Sequence, residues 1–292
     1  DNSRCLADNH CRLEDYTPSG RPEDLPRPVI ERSSGAMFNF SVNQGPPTRG
    51  VTITRIDFIC SRCVGGRYGI RAGEGSGDLM FDDVTFDGFD VNFYVKHDHA
   101  AQSNITLQNS RILNGRNQGV LGASPNFQIL DNYFENNGGA NHMFDHSIYL
   151  SGDADPTTGP EIPYNMLIRG NEIYKTSHVG GSCTGVAIVA HGYLNGVIVE
   201  DNYIHEDPGT ATRRCYGIGF NPGHASQTEK IQNIIVRRNL ISNVGRVGVT
   251  FGAIRNSLIE NNVIVNNGSM ESQNAIYVED IDQPGGGFKT KM

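Results

Sequence analysis

Apolar residues recur along the chain in a six-residue pattern that appears eight times. Each copy has an apolar residue, two mostly polar residues, a turn-forming position, one further residue and a second apolar residue, as in ILDNYF and VEDNYI. The copies lie at residues 53–58, 81–86, 107–112, 129–134, 168–173, 199–204, 236–241 and 259–264. In the last five copies the fourth position is asparagine, at Asn132, Asn171, Asn202, Asn239 and Asn262.

A second short segment of alternating apolar and polar residues follows each copy, at 68–72, 91–95, 118–122, 146–150, 184–188, 216–220, 247–251 and 274–278. Alternation with a period of two predicts β-strands. Two or three strands per repeat, with no helix between them, are accommodated most simply when the chain coils and each strand pairs in parallel with its counterpart one repeat later. We therefore predict an all-β parallel β-helix, a solenoid of about eight to nine coils and about 40 Å in length.

The repeated asparagine separates this fold from a β-sandwich, which also has short alternating strands joined by turns. A β-helix needs a left-handed turn at the same place in every coil, and stacked asparagine amides can hydrogen-bond along its axis. A sandwich offers no reason for asparagine at one offset in five successive repeats. The composition also favours many tight turns, because the 292 residues include 35 Gly and 28 Asn, which both tolerate positive φ.

The charge balance argues against a nucleic-acid partner. The chain has 24 Lys+Arg and 32 Asp+Glu, a net charge of −8, whereas nucleic-acid binding needs a basic face. No stretch approaches the roughly 18 consecutive apolar residues of a membrane helix. We expect a monomer with neither a nucleic-acid nor a membrane partner.

Segments such as NYFENN (132–137), NEIY (171–174), NYIH (202–205) and NNVIVNN (261–267) resemble the repeats of right-handed parallel β-helix proteins, the pectate-lyase-like superfamily. The resemblance covers about residues 29–278 and implies a single-stranded right-handed parallel β-helix. It is specific for fold and weak for function, because the superfamily contains lyases, epimerases, glycoside hydrolases and viral tailspikes.

The chain divides into three segments. Residues 1–28 are polar, contain four Pro and two Cys, and are predicted to form an irregular cap over the open end of the solenoid. Residues 29–283 are predicted to form the β-helix and 284–292 a C-terminal tail. We expect coils to be missing at one or both ends.

The six cysteines predict disulfides. Cys183 and Cys215 precede matching segments, Thr-Gly-Val and Tyr-Gly-Ile, in successive coils, and the roughly 4.8 Å between stacked strands permits a bridge. The favoured pairs among the other four are Cys5 with Cys11 and Cys60 with Cys63; cross-pairing and a four-cysteine zinc site are the alternatives. Disulfides indicate an oxidising compartment, so we expect a secreted protein, extracellular or periplasmic.

The candidate site lies in the middle coils, because eight of the nine histidines fall between His97 and His224. Enlarged turns in the same coils are expected to wall a groove for an extended polysaccharide. In our strand alignment Val186 points into the core and Ala187 points outward. Outward positions and strand ends then present the expected substrate-binding residues Arg71, Tyr94, Ser151, His191, Asn221 and His97.

Such a site could perform β-elimination on an anionic, uronic-acid-containing polymer, in which a base removes the C5 proton. We expect His146 or Lys96 to be the base and Tyr149 the acid that protonates the leaving oxygen. Arg71 or Asn221 would bind the carboxylate.

The segment 144–146, Phe-Asp-His, is similar to the Asp-Pro-His element of β-helix mannuronan C5-epimerases, although the Pro is missing. This resemblance implies catalytic roles for Asp145 and His146. Calcium often assists in the superfamily, and Asp145, Asp153 and Asp155 are the expected ligands, although no spacing matches a dedicated calcium loop.

Two other functions stay open. A glycoside hydrolase needs two carboxylates about 5–10 Å apart; Asp145 and Asp153 flank the strand of His146, but the paired-Asp and Gly-His-Gly signatures of β-helix polygalacturonases are absent. A non-catalytic glycan-binding or structural solenoid is the third possibility. The absence of Trp counts mildly against it, because aromatic platforms usually stack sugars.

Overall fold

The computed structural model describes residues 11–14, 27–33, 36–40, 48–63, 65, 67–73, 75–96, 103–140, 144–152, 164–223, 229–265 and 274–279. The described strands form three long parallel sheets, here named A, B and C, and the chain passes from A to B to C in each coil. Sheets B and C have nine strands each. The prediction of an all-β parallel β-helix is therefore confirmed, with nine coils in the described part of the chain.

Sheet A contains Cys11–Glu14, Arg49–Thr54, Gly77–Asp82, Ile105–Gln108, Gln128–Leu130, Met166–Arg169, Tyr193–Glu200 and Lys230–Arg237, and the last of these pairs with both Ile254–Arg255 and Leu258–Glu260. Sheet B contains Val29–Glu31, Asp57–Ile59, Thr85–Asp87, Arg111–Leu113, Tyr133–Glu135, Glu172–Tyr174, Tyr203–His205, Leu240–Ser242 and Val263–Val265. Sheet C contains Phe38–Asn39, Tyr68–Ala72, Val91–Val95, Gln118–Gly122, His146–Ser151, Val186–His191, Tyr216–Phe220, Val247–Gly252 and Asn274–Glu279. A small antiparallel hairpin pairs His178–Val179 with Ser182–Cys183.

The segment predicted as an irregular cap contributes a strand. Cys11–Glu14 pairs in parallel with Arg49–Thr54 and so continues sheet A. The boundaries at 28 and 283 stay predictions. In the part of the chain that the structure describes, no helix is long and apolar enough to cross a membrane.

The repeated six-residue pattern is the corner between sheets A and B. The stacked amides are confirmed: each buried asparagine donates from Nδ2 to Oδ1 of the next, over 3.0, 2.9, 2.9 and 2.9 Å from Asn132 to Asn262. The left-handed conformation belongs to the preceding residue, as at Asp131 (φ 54°) and Arg238 (φ 54°). This residue turns the chain, and the asparagine that follows it directs its amide inward.

The core lies between the three sheets. Near the N-terminal end it is aromatic, with Phe58, Phe81, Phe86 and Phe93 fully buried and neighbouring ring centroids 4.9–6.2 Å apart. In later coils isoleucine and valine take the equivalent places, including Ile168. Apolar side chains at every coil thus bury a continuous column, which no coil could form alone.

One strand of sheet C is placed differently from our prediction. Ile188, not Val186, occupies the core position opposite Ile148 and Ile218, and it is fully buried. Val186 instead faces outward, and Ala187 is buried. The predicted strand was thus two residues out of register: Val186 pairs with Tyr216, the first residue of its strand, so the Gly-Val of 185–186 is not equivalent to the Gly-Ile of 217–218.

The disulfide between Cys183 and Cys215 is confirmed, with the two Cα atoms 5.3 Å apart. The register on which this prediction was based is wrong, however. Val186 pairs with Tyr216, so Cys183 does not lie directly opposite Cys215 in the sheet. The backbone of Cys183 instead pairs with that of Ala211 in an isolated β-bridge. Cys60 and Cys63 are also bonded to each other, and these two sulfurs are therefore not zinc ligands. Cys5, the predicted partner of Cys11, lies outside the described residues, so this pair stays a prediction.

Candidate active site

A groove of about 590 Å³ lies on the outer face of sheet C, over its middle and C-terminal strands. Apolar side chains of several coils form part of its walls, and Phe144 at its edge is 69% exposed. The polar groups that line it include His146, Tyr149, His191, Asn221, Arg246 and Glu279. Four of these six were predicted as site residues from the sequence.

Sheet C presents two rows of side chains to the groove because the backbone bends between them. His146 belongs to one row and Tyr149 to the next. The two outward-facing residues are three positions apart along the strand, whereas strict alternation would put them two apart. In the coils from His146 to Val247 the residue that follows the first row is small and buried: Ser147, Ala187, Gly217 and Gly248. A Cβ on Gly217 would lie 2.4 Å from the carbonyl oxygen of Gly248 in the next coil, so this bend has no room for a large side chain.

Tyr149 stands between two histidines. Its ring centroid lies 5.5 Å from that of His146 and 5.5 Å from that of His191, in edge-to-face contacts at 79° and 82°. Burial raises the pKa of Tyr149, and the nearby carboxylate of Glu229 raises it further. The phenol is therefore protonated at neutral pH.

His146 is a buried, neutral histidine at the floor of the groove. It is 4% exposed, and its Nδ1 lies 3.2 Å from the oxygen and 3.3 Å from the nitrogen of Val186. Burial lowers the pKa of His146 to about 3, and repulsion from His191 contributes. The ring is thus uncharged throughout the physiological pH range.

His191 ends its strand directly opposite Ser151. Its Nδ1 lies 2.5 Å from the backbone oxygen of Asn221. Beneath this contact, the fully buried carboxylate of Glu229 accepts hydrogen bonds from the backbone nitrogens of Gly192 (2.6 Å) and Gly223 (2.8 Å). Sequence reasoning missed Glu229, because the residues it joins are brought together only by the stacking of two coils.

Arg246 supplies a cation to the groove that sequence reasoning did not select. Its guanidinium carbon lies 5.8 Å from the ring centroid of Tyr216, which also lines the groove. Arg246 immediately precedes the strand Val247–Gly252, a strand-entry position equivalent in kind to that of Asp145. The same rule that singled out Asp145 could therefore have found it.

Three predicted site residues lie in the N-terminal coils and do not line this groove: Arg71, Tyr94 and Lys96. Arg71 and Tyr94 occupy the same row as Tyr149, but Leu121 separates Tyr94 from it. Two coils correspond to about 10 Å. Tyr94 packs instead against Tyr68, with ring centroids 5.1 Å apart.

The predicted calcium ligands do not form a described site. Asp145 is buried beside the groove, where its backbone oxygen accepts a hydrogen bond from Ser177, while Asp153, Asp155 and the predicted substrate-binding His97 lie outside the described residues. Calcium takes six to eight oxygen ligands. The described groove residues offer one carboxylate, that of Glu279, and the calcium site stays a prediction.

No protein-family model and no curated protein sequence matches the chain. Among solved structures, the chain is similar to the Agl-KA catalytic domain (14% identity, TM-score 0.44), covering 87% of this chain and 56% of that domain. It is also similar to two structures of PfbA, a surface adhesin of Streptococcus pneumoniae. The first has 14% identity and a TM-score of 0.33, and the match covers 94% of this chain and 78% of PfbA. The second has 11% identity and a TM-score of 0.30, and the match covers 95% of this chain and 84% of PfbA. The similarity is one of fold, and the function of this chain is argued from its own residues.

Proposed function

We propose that the chain is a secreted polysaccharide lyase, or the closely related C5-epimerase, which acts on a uronic-acid polymer in the groove of sheet C. One observation carries the proposal: two histidines and a tyrosine meet in a groove that also holds a guanidinium, Arg246. Both reactions begin by removing the C5 proton next to a carboxylate. They need a base, a cation and an acid.

Each group has a role in β-elimination. The cation of Arg246, with the Asn221 amide, binds the substrate carboxylate and stabilises the negative charge that develops on it. A histidine takes the C5 proton, and the electron pair of the C–H bond forms the C4–C5 double bond as the C4–O bond breaks. Tyr149, whose raised pKa keeps the phenol protonated before the reaction, gives its proton to the departing oxygen.

The epimerase differs only in its last step. Instead of losing the C4 oxygen, the carbanion accepts a proton on the opposite face of C5. Tyr149 is then the donor, and the groove needs an acid and a base on opposite sides of the sugar ring. His146 and His191 flank Tyr149 in the groove, which is compatible with either outcome.

The composition of the groove favours this chemistry over hydrolysis. A glycoside hydrolase uses two carboxyl groups on either side of the scissile bond. Among the described residues that line the groove, Glu279 is the one carboxylate. Imidazole and phenol, rather than a carboxylate pair, are the proton-transfer groups on offer.

Location in an oxidising compartment is part of the proposal. The two described disulfides, Cys60–Cys63 and Cys183–Cys215, are compatible with secretion, because disulfides persist in extracellular and periplasmic proteins. A polymer substrate outside the cell fits the same location.

The test is ultraviolet absorbance during incubation with polygalacturonate, polymannuronate, polyguluronate and glucuronan, each with calcium and with a chelator. Only β-elimination creates the absorbing conjugated double bond. We expect absorbance to rise with one polymer and to fall at least about 100-fold in rate for Tyr149→Phe, since general acid catalysis contributes about 10²–10⁴-fold.

The other activities give different results. Exchange of the C5 hydrogen with deuterated water, without absorbance, identifies the epimerase. New reducing ends without absorbance identify a hydrolase and refute the proposal. Binding of a polymer with neither reaction identifies a glycan-binding solenoid.

A further inference from the structure

The two histidines of the groove differ in how their rings are held. His146 is 4% exposed, and Nδ1 lies within 3.3 Å of both backbone polar atoms of Val186. Its pKa, lowered to about 3 by burial, makes it a weak proton acceptor, because an effective base has a pKa near the working pH. His191 is half-buried and lies on the other side of Tyr149.

The tautomer of His191 follows from its partner. Nδ1 lies 2.5 Å from the backbone oxygen of Asn221, and a carbonyl oxygen only accepts hydrogen bonds. Nδ1 therefore carries a hydrogen and donates it. In the neutral ring the lone pair is then on Nε2, so the ring has a defined proton-accepting atom.

Glu229 fixes the backbone on both sides of this contact. Its Oε2 accepts from the nitrogen of Gly192, which follows His191, and its Oε1 accepts from the nitrogen of Gly223, two residues after Asn221. Gly192 adopts φ 90°, a conformation that glycine tolerates. The fully buried carboxylate thus ties the end of one sheet C strand to the turn that follows the next.

Gly223 also limits the position of the imidazole. A Cβ at Gly223 would lie 2.6 Å from three atoms of the His191 ring, which is closer than real Cβ contacts. The ring therefore packs against the backbone of this turn. Its orientation depends on Gly223 and on the carboxylate that holds it.

We propose that His191 is the base of the groove and that Glu229 is the positioning residue that fixes its tautomer and orientation. The role of His191 as a base rests on the proposed function, whereas the positioning of its ring by Glu229 does not. In the reaction, Nε2 of neutral His191 takes the C5 proton and the ring becomes an imidazolium. The Asn221 carbonyl and the nearby Glu229 carboxylate both stabilise that cation.

The test compares the wild type with Glu229→Gln. The amide retains one acceptor oxygen, but its NH₂ group would face a second backbone N–H, so one of the two bonds is lost. Nitrogen-15 NMR of the histidine rings in the free protein, with His191 assigned from the spectrum of His191→Gln, reports the tautomer directly. We expect the Nδ1–H form to dominate in the wild type and a mixture in Glu229→Gln.

Kinetics supply the second readout. We expect kcat to fall between about 10- and 100-fold with KM nearly unchanged, because misplacement of a reacting group by about 1 Å has effects of this size. Glu206→Gln is the matched control. Glu206 is also buried, and it also accepts from a backbone nitrogen, that of Thr176 (2.8 Å), but its other oxygen contacts His178 rather than the backbone beside His191. It should leave the His191 tautomer and kcat unchanged.

The outcomes separate the two proposals. If no polymer is a substrate but the tautomer changes as expected, the proposed function fails and the role of Glu229 stands. An Nε2–H tautomer in the wild type, or an unchanged tautomer in Glu229→Gln, overturns the inference whether or not the protein is a lyase. If Glu229→Gln does not fold, Gly223→Ala disturbs the His191 ring while keeping the Glu229 carboxylate. An unchanged His191 spectrum in Gly223→Ala would also overturn the inference.

Discussion

Replacing Asn202 with alanine should destabilise the solenoid by about 2–4 kcal/mol. Asn202 is 2% exposed and stands in the middle of the buried asparagine row. Its Oδ1 accepts from the backbone nitrogen and Nδ2 of Asn171, over 3.0 and 2.9 Å. Its Nδ2 donates to the oxygens of Ile168 and Glu200 and to Oδ1 of Asn239, over 3.0, 3.0 and 2.9 Å.

The magnitude follows from what the substitution leaves behind. The carbonyl oxygen of Glu200 keeps a hydrogen bond from Gly170, and Oδ1 of Asn239 keeps one from the backbone nitrogen of residue 202. The backbone nitrogen of Asn171 loses the side-chain acceptor described for it. A buried unsatisfied donor costs about 1–3 kcal/mol, and the space left by the amide adds to this.

The control is the same substitution at the end of the row. Asn262 is only partly buried and accepts from the backbone nitrogen of Asn239 over 3.0 Å. Water can replace this acceptor more easily, so Asn262→Ala should cost about 1 kcal/mol or less. Asn202→Asp should cost more than Asn202→Ala, because it places a carboxylate among oxygens that accepted from the amide.

Urea unfolding followed by circular dichroism measures all three variants. Equal costs for Asn202→Ala and Asn262→Ala would refute the reasoning, since they would mean that burial of the amide row contributes nothing beyond a single surface contact. A cost for Asn202→Asp below that of the alanine variant would likewise show that the donated bonds are unimportant.

Three further predictions concern the groove and its support. The pKa of His146 is lowered from 6.5 to about 3 on folding, so the unfolded chain is protonated at a higher pH than the folded protein. The free energy of unfolding should therefore fall as the pH drops from about 6.5 to 3, by at most about 5 kcal/mol. Urea titrations should give a flatter pH profile for His146→Phe. Cys183→Ser removes a disulfide between residues 32 apart in sequence and should lower the free energy of unfolding by about 3–4 kcal/mol. Cys60→Ser removes a disulfide between residues 3 apart and should lower it by about 2 kcal/mol. Calorimetry that ranks the two variants in the opposite order would contradict this. Arg246→Gln should raise KM for the anionic polymer at least about 10-fold while leaving thermal stability nearly unchanged. The increase in KM should become smaller with added salt. A KM equal to that of the wild type would exclude Arg246 as the group that binds the carboxylate.

The fold was predictable because one corner dictates it. Five asparagines at one offset, from Asn132 to Asn262, are the visible trace of a hydrogen-bonded row that only stacked coils can form. The left-handed residue of the same corner was not recognisable, because it is Asp131 in one coil and Arg238 in another. Backbone strain tolerates several residue types there, whereas a buried amide row tolerates essentially one.

The site was harder to predict because it depends on register. Alternation predicts strands but does not fix their register from one coil to the next. Because sheet C bends after its first outward position, an error of two residues placed Val186 in the core, whereas it lines the groove. The hairpin of His178–Val179 and Ser182–Cys183 lengthens the connection before the strand Val186–His191, so the sequence contained no fixed turn from which to count. The predicted strand began at 184, two residues too early.

That single error hid the contact on which the proposed mechanism depends. With Val186 in the core, Ala187 stood beside Tyr149, and His191 lay about 6.5 Å further along the strand than it does. In the observed register Val189 pairs with Tyr149 and His191 with Ser151, which brings the imidazole against the Tyr149 ring at 5.5 Å. Residues 45 and more apart along a chain such as this become neighbours through coil stacking, as Asn92 and Asn137 do over 3.1 Å. In a solenoid, therefore, the corner residues determine the fold, while the side-chain contacts in the groove depend on loop lengths, which periodicity does not report.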